Sequence, residues 1–89
     1  MEVNLIKLAE LIDSMTSQRN KLKEKNDLLK DIKSLMDRAW EDDTRWNDEG
    51  KDVVDRIIAC NDETINLFSN TIVKLQVWSE RLAQIAKKG

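Results

Sequence analysis

Trp40-Glu41-Asp42-Asp43-Thr44-Arg45-Trp46-Asn47-Asp48-Glu49-Gly50 is the stretch on which the fold of this 89-residue chain turns. On either side of it apolar residues recur at helical spacing; inside it they thin to Trp40 and Trp46. From Glu41 to Gly50 there are five carboxylates and one cation, whereas residues 1–40 hold eight basic and seven acidic side chains and residues 51–89 hold six and five. The net charge of -2 is therefore that of two nearly balanced arms joined by an acidic turn.

Working back from Trp40, a 3-4 alternation runs through Leu5, Leu8, Ile12, Met15, Arg19, Leu22, Asn26, Leu29, Lys33, Met36 and Trp40, and eight of these eleven are apolar. Alternation with period two fails, which excludes strands. Working forward, Val54, Ile58, Asn61, Ile65, Phe68, Ile72, Leu75, Ser79, Leu82 and Ala86 repeat the pattern, with eight of ten apolar. Beside this row lie Ile57, Thr64, Thr71, Trp78 and Ile85, with Val53 and Leu67 widening it further. The resulting stripe is broader than the two-position seam of a simple coiled coil.

The reading is all-α: an antiparallel two-helix hairpin in one domain over residues 1–89. Helix one spans about 3–39, the turn about 40–44 and helix two about 44–87. Asp42, Asp43 and Thr44 are the N-cap candidates, and carboxylates there favour the helix dipole. An early start would put Trp46, Val53 and Ile57 on one face. Lys87, Lys88 and Gly89 suit a helix C-terminus. No Pro and only two Gly stand against long helices.

Two helices alone leave wide apolar stripes wet, and a chain this short buries little surface. Pairing of two hairpins into a four-helix bundle dimer would cover them. The partner interface is expected at Leu8, Ile12, Met15, Leu22, Leu29, Ile58, Ile65, Phe68, Ile72, Leu75 and Trp78. The polar row Arg19, Asn26 and Lys33 either sets register or partner choice, as polar core positions do in coiled coils, or drifts to the surface of a straight helix.

Composition narrows function by exclusion. No His and a single Cys leave neither the usual general base nor the usual zinc ligands, and they rule out an internal disulfide. No enzyme activity, metal or cofactor is expected, and a thin hairpin offers no pocket for a carboxylate-based hydrolase at the turn. Gly50 at the sixth position of a calcium loop would put Arg45 at the first, so the acidic residues read as caps. Cys60 reads as a half-buried structural thiol, and the basic run Arg19 to Lys25 scatters around its helix. Trp40 and Trp46 read either as core filler at the hairpin tip or as a recognition surface, and Trp78 as an interface or core anchor. Net acidity argues against nucleic acid. No run approaches the roughly 18 apolar residues of a membrane span. Glu2, Asn4, Lys7 and Glu10 interrupt any signal-peptide core between Met1 and Leu11. The expected location is the cytoplasm, with export by a route independent of an N-terminal signal as the alternative.

The layout, with Leu35-Met36-Asp37-Arg38-Ala39-Trp40-Glu41-Asp42 at the end of helix one, resembles the WXG family of small ESAT-like proteins of bacterial type VII (ESX) secretion. The turn motif would be Trp40, Asp42 and Trp46, with Trp40 as the family Trp and Asp42 at the family Gly position. The family's Tyr-x-x-x-Asp/Glu export signal has no counterpart, since the chain has no Tyr. The resemblance implies a non-enzymatic dimer, homo or hetero, with another helical hairpin. Such a protein acts as a secreted substrate or as a helical partner of a secreted toxin, and a toxin's N-terminal helical domain or a type VII ATPase would be its partners. A cytoplasmic helical adaptor or phage-type assembly protein is the reading that needs no secretion.

Overall fold

A computed structural model describes residues 2–88 of the chain, with the side chains of residues 5–87. Two long α-helices, α1 (Glu2–Ala39) and α2 (Lys51–Lys88), flank a π-helical segment, Trp46–Gly50. Each α-helix has 38 residues, about 57 Å at 1.5 Å per residue. They pack against each other as an all-α helical hairpin, with no strand among the described residues. Gly89 and the side chain of Lys88, expected to close α2, lie outside the described residues. No helix is long and apolar enough to cross a membrane, among the described residues.

The 3-4 rows read from the sequence are the lines along which the helices lose exposure. Every member from Leu5 to Met36 on α1, and from Val54 to Leu82 on α2, is half-buried or buried. Contacts divide the chain into two compact units, one of residues 21–65 and one combining α1 through Asn20 with α2 from Asn66.

In the unit that holds the turn, polar pairs cross the seam. Asn26, only 1% exposed, donates from Nδ2 to Asp62 Oδ1 at 2.9 Å and accepts at Oδ1 from Asn61 Nδ2 at 3.1 Å. Lys33 pairs with Asp55, and Lys51 Nζ lies 3.5 Å from Asp37 Oδ1. From Asn26 to Lys33 is seven residues forward, and from Asp62 to Asp55 is seven back. From Lys33 to Asp37 is four forward, and from Asp55 to Lys51 four back. This constant register is that of antiparallel helices. Of the two readings of the polar row, Asn26 takes the register-setting one: it is buried in the seam with its amide satisfied, the condition under which a buried polar group is not costly.

In the other unit the seam is apolar. Ile72 is its most buried residue, 4% exposed, among half-buried Leu8, Ile12, Met15, Phe68 and Leu75. No hydrogen bond or ion pair crosses between the helices here, among the described residues. Thr16 and Thr71 instead return their hydroxyls to the carbonyls of Ile12 and Leu67, each at 2.8 Å.

This seam runs along most of the residues expected at a partner interface. Leu8, Ile12, Met15, Leu22, Leu29, Ile58, Ile65, Phe68, Ile72 and Leu75 are half-buried or buried along the chain's own seam, and only Trp78, 55% exposed, stands clear of it. A 3-4 row marks what a helix buries first, and the nearest partner is the other arm of the hairpin.

Part of the apolar surface that remains open lies in the neighbouring row, while Ile6, Leu11, Val73 and Val77 are exposed outside it. Along α2, Val53, Ile57, Leu67, Trp78 and Ile85 are between 45% and 64% exposed. Cys60 belongs to the same row and is exposed rather than half-buried. On α1, Leu28 and Leu35 are 59% and 58% exposed. At 100° per residue Val53 and Ile57 lie on the side of the α2 seam away from the cross-helix ion pairs, whereas Leu28 and Leu35 lie on the back of α1, roughly opposite its seam.

Candidate functional site at the helical turn

The turn is built from its caps upward. Trp40 N–H still reaches Met36 O at 2.8 Å, closing the last turn of α1, and Asp43 N–H reaches Trp40 O at 3.0 Å. Asp43 is then the N-cap of the next helical stretch. Its Oδ1 accepts from the backbone N–H groups of Arg45 at 2.9 Å and Trp46 at 3.2 Å, satisfying donors that a helix start leaves open. Thr44 and Arg45 are already helical. Asn47 Nδ2 donates to Glu41 O at 2.9 Å and ties the turn across itself.

The π-helical segment decides where Trp46 goes. Lys51 N–H bonds to Trp46 O, a five-residue step that admits one residue more than an α turn. In an unbroken α-helix Trp46 would share a face with Val53 and Ile57. The extra residue rotates it by about 100°, into line with Val54 and the seam. Trp46 is accordingly 6% exposed, while Val53 and Ile57 are 56% and 45% exposed. The expectation that these three share a face fails for this reason.

Three neighbours secure the buried indole. Its Nε1–H donates to Asp37 Oδ1 at 2.9 Å, and Asp37 is held in turn by Lys51. Gly50 sits beneath the ring: a Cβ there would lie 2.5 Å from Trp46 Cε3. Glycine is needed here for close approach, since no described glycine has a positive φ. The third neighbour is Trp40, whose ring meets that of Trp46 edge-on, with centroids 5.7 Å apart and planes at 62°. That arrangement suits the ring quadrupoles.

The two tryptophans of the turn motif thus part roles. Trp46 is core and Trp40 is 46% exposed. Asp42, the third residue of that motif, is exposed and makes no hydrogen bond or ion pair among the described residues. A hairpin without a pocket was the expectation; the turn instead holds an open cleft of about 550 Å³ lined by Met36, Trp40, Trp46, Val53 and Val54, with Asp43, Arg45, Glu49 and Gly50 around it.

Electrostatics at the turn are those of uncompensated carboxylates. None of Glu41, Asp42, Asp43, Asp48 and Glu49 has an ion-pair partner among the described residues. Across the seam the Asp55 carboxylate, hydrogen-bonded to Lys33, raises the Lys33 ammonium above its ordinary 10.5, with help from Asp37. The spacing of Trp40 and Trp46 did not reveal the cleft; the one available signal was Gly50 four residues after Trp46, the spacing at which a small residue can underlie a ring.

Comparisons with protein-family models, curated proteins and solved structures find no match to this chain.

Proposed function

We propose that this chain is a non-enzymatic, WXG-like helical-hairpin protein that pairs with a second hairpin, its own copy or a relative, into a four-helix bundle serving type VII secretion. In that role it is either a dimeric secreted substrate or the helical partner of a secreted toxin. The observation that carries the pairing is the exposed large apolar residues of α2, Val53 and Ile57 in the unit of residues 21–65 and Leu67, Trp78 and Ile85 in the other. Exposed apolar side chains in such number on a small chain mark a contact surface. Trp40 at the end of α1 and the turn that follows it support the WXG-like part of the reading.

Light scattering on the purified chain tests the pairing. The expected result is a dimer, or a monomer converted to a complex by a partner hairpin; Leu67→Lys with Trp78→Lys should abolish either while leaving helical content unchanged. A stable monomer that captures no helical partner would sink the reading. A neighbouring gene for a type VII ATPase, or for a toxin with a long N-terminal helical domain, supports the secretion half. The absence of Tyr favours the helical partner over the exported substrate within this reading. A helical adaptor or phage-type assembly protein that uses the same residues without secretion is the second reading, favoured by Asp42 at the family Gly position.

A further inference from the structure

The cleft at the turn carries an inference that does not depend on the secretion reading. We propose that it is a docking site for a basic amphipathic helix of another protein, which inserts a large apolar side chain against Trp40 and meets the surrounding carboxylates with Lys or Arg.

Three observations converge on that occupant. The floor is apolar and open, about 550 Å³ lined by Met36, Trp40, Trp46, Val53 and Val54, a volume suited to one or two large side chains. Trp40, one of the lining residues, is 46% exposed, although its partner ring is buried at 6%. An indole held on one side by a second indole and bare on the other has the rigidity and area of an interface anchor. The charged residues that line the cleft are Asp43, which serves as N-cap, Glu49, which has no ion-pair partner among the described residues, and Arg45. Glu41, Asp42 and Asp48 belong to the same turn and are exposed, so residues 41–50 carry five carboxylates to one cation. A ligand with an apolar side chain and no charge would leave that field unanswered, and an acidic one would be repelled. A helix with one apolar and one basic face answers both features, the mode in which an amphipathic helix lays anchors into a groove.

A synthetic helix made only of Leu and Lys, with Leu on one face, is the probe, and its Leu/Glu counterpart is the control. Binding is read by anisotropy of a dye on the peptide. The Leu/Lys peptide should bind and the Leu/Glu peptide should not, and affinity should fall about tenfold or more between low salt and roughly 0.5 M. Trp40→Ala should weaken binding about 30-fold, as for a hot-spot aromatic. Replacing Glu41 and Glu49 by Gln and Asp42 and Asp48 by Asn should weaken it comparably. That variant keeps Asp37 and Asp43, so its circular dichroism melt should stay close to wild type; should it lose helix, Trp40→Ala decides alone. Leu67→Lys, on the flank of α2, should leave peptide binding unchanged. Equal binding of the Leu/Glu peptide, no loss in the turn variants, or no binding of the Leu/Lys peptide would each overturn the site. A dimer by light scattering together with any of these would leave the pairing reading standing.

Discussion

The unit of residues 21–65 and the unit that combines α1 through Asn20 with α2 from Asn66 share two helices and one repeat pattern, yet they are held differently. In the first, Asn26 with Asn61 and Asp62, Lys33 with Asp55, and Lys51 with Asp37 cross the seam, and a buried Trp46 closes it. In the second, Ile72 and half-buried aliphatic neighbours make a seam that no described polar pair crosses. Apolar contact is non-directional, and a slip by one heptad would bury a similar set. Satisfied polar pairs tolerate no slip, because a displaced buried amide loses its partners. Within the unit of residues 21–65 the register is therefore held by polar pairs, whereas the other unit is held by apolar contact.

Trp46→Ala should break this comparison most strongly. Loss of a buried indole from the described core is expected to cost about 3–5 kcal/mol, a large part of the roughly 5–13 kcal/mol available to a chain of this size. Chemical denaturation should show it as a lowered midpoint. Gly50→Ala reports on the same contact. Its Cβ would meet the Trp46 ring at 2.5 Å, so it should destabilise the wild type by about 1–3 kcal/mol. In the Trp46→Ala background the clash is gone, and the substitution should turn neutral or stabilising by up to about 1 kcal/mol through helix propensity. A double-mutant cycle with no coupling would refute the contact.

Ile72→Ala should cost about 2–4 kcal/mol and act on the unit that contains it. Hydrogen exchange should then accelerate around Ile72 while the amides of the turn keep their protection. Uniform acceleration would show that the two units open together and dissolve the contrast.

Asn26→Leu differs in kind. Replacing a buried polar group with an apolar one of similar size is expected to change stability by at most about 1–2 kcal/mol, in the stabilising direction. Its cost should appear as lost uniqueness: a mixture of oligomers by light scattering, or spin-label distances across α1 and α2 that no longer fit one register. A single sharp distance distribution would show that the apolar rows alone set the pairing.

The smallest effect concerns pH. The Lys33 ammonium is raised above 10.5 in the folded hairpin, chiefly by its hydrogen bond with Asp55. Because the folded state holds this proton more tightly than the unfolded chain, the contribution is fully present below 10.5 and fades as pH rises through the higher folded value. The difference in melting temperature between wild type and Asp55→Asn should be flat through neutral pH and shrink in strongly alkaline solution. A difference that persists undiminished there would assign the effect of Asp55 to something other than Lys33.

Much of the fold was legible because a helix has one period. The rows from Leu5 to Met36 and from Val54 to Leu82 depend only on 3.6 residues per turn and on which side chains leave water. Asp43 as N-cap was legible for the same local reason, a short acceptor beside open N–H donors. The site was less so. Trp46 and Trp40 look alike in the sequence, and one became core while the other stayed half exposed, because a single extra residue in the Trp46–Gly50 turn rotates one ring into the seam. Periodicity assumes a constant pitch and cannot see where it changes. Cys60, read as half-buried beside the rows, is exposed.

The sequence by itself determined that this chain makes two long amphipathic helices broken at an acidic, Trp-flanked turn, because spacing, capping and the near absence of helix breakers are local properties. Only the tertiary structure decided which face each helix spends on the other. It put Leu8, Ile12 and their row inside the hairpin and left Ile57, Leu67 and Trp78 free, a choice made between whole helices. It also placed Gly50 under Trp46 and opened the cleft beside Trp40, because a ring and a backbone four residues away touch only once the pitch of the turn is set.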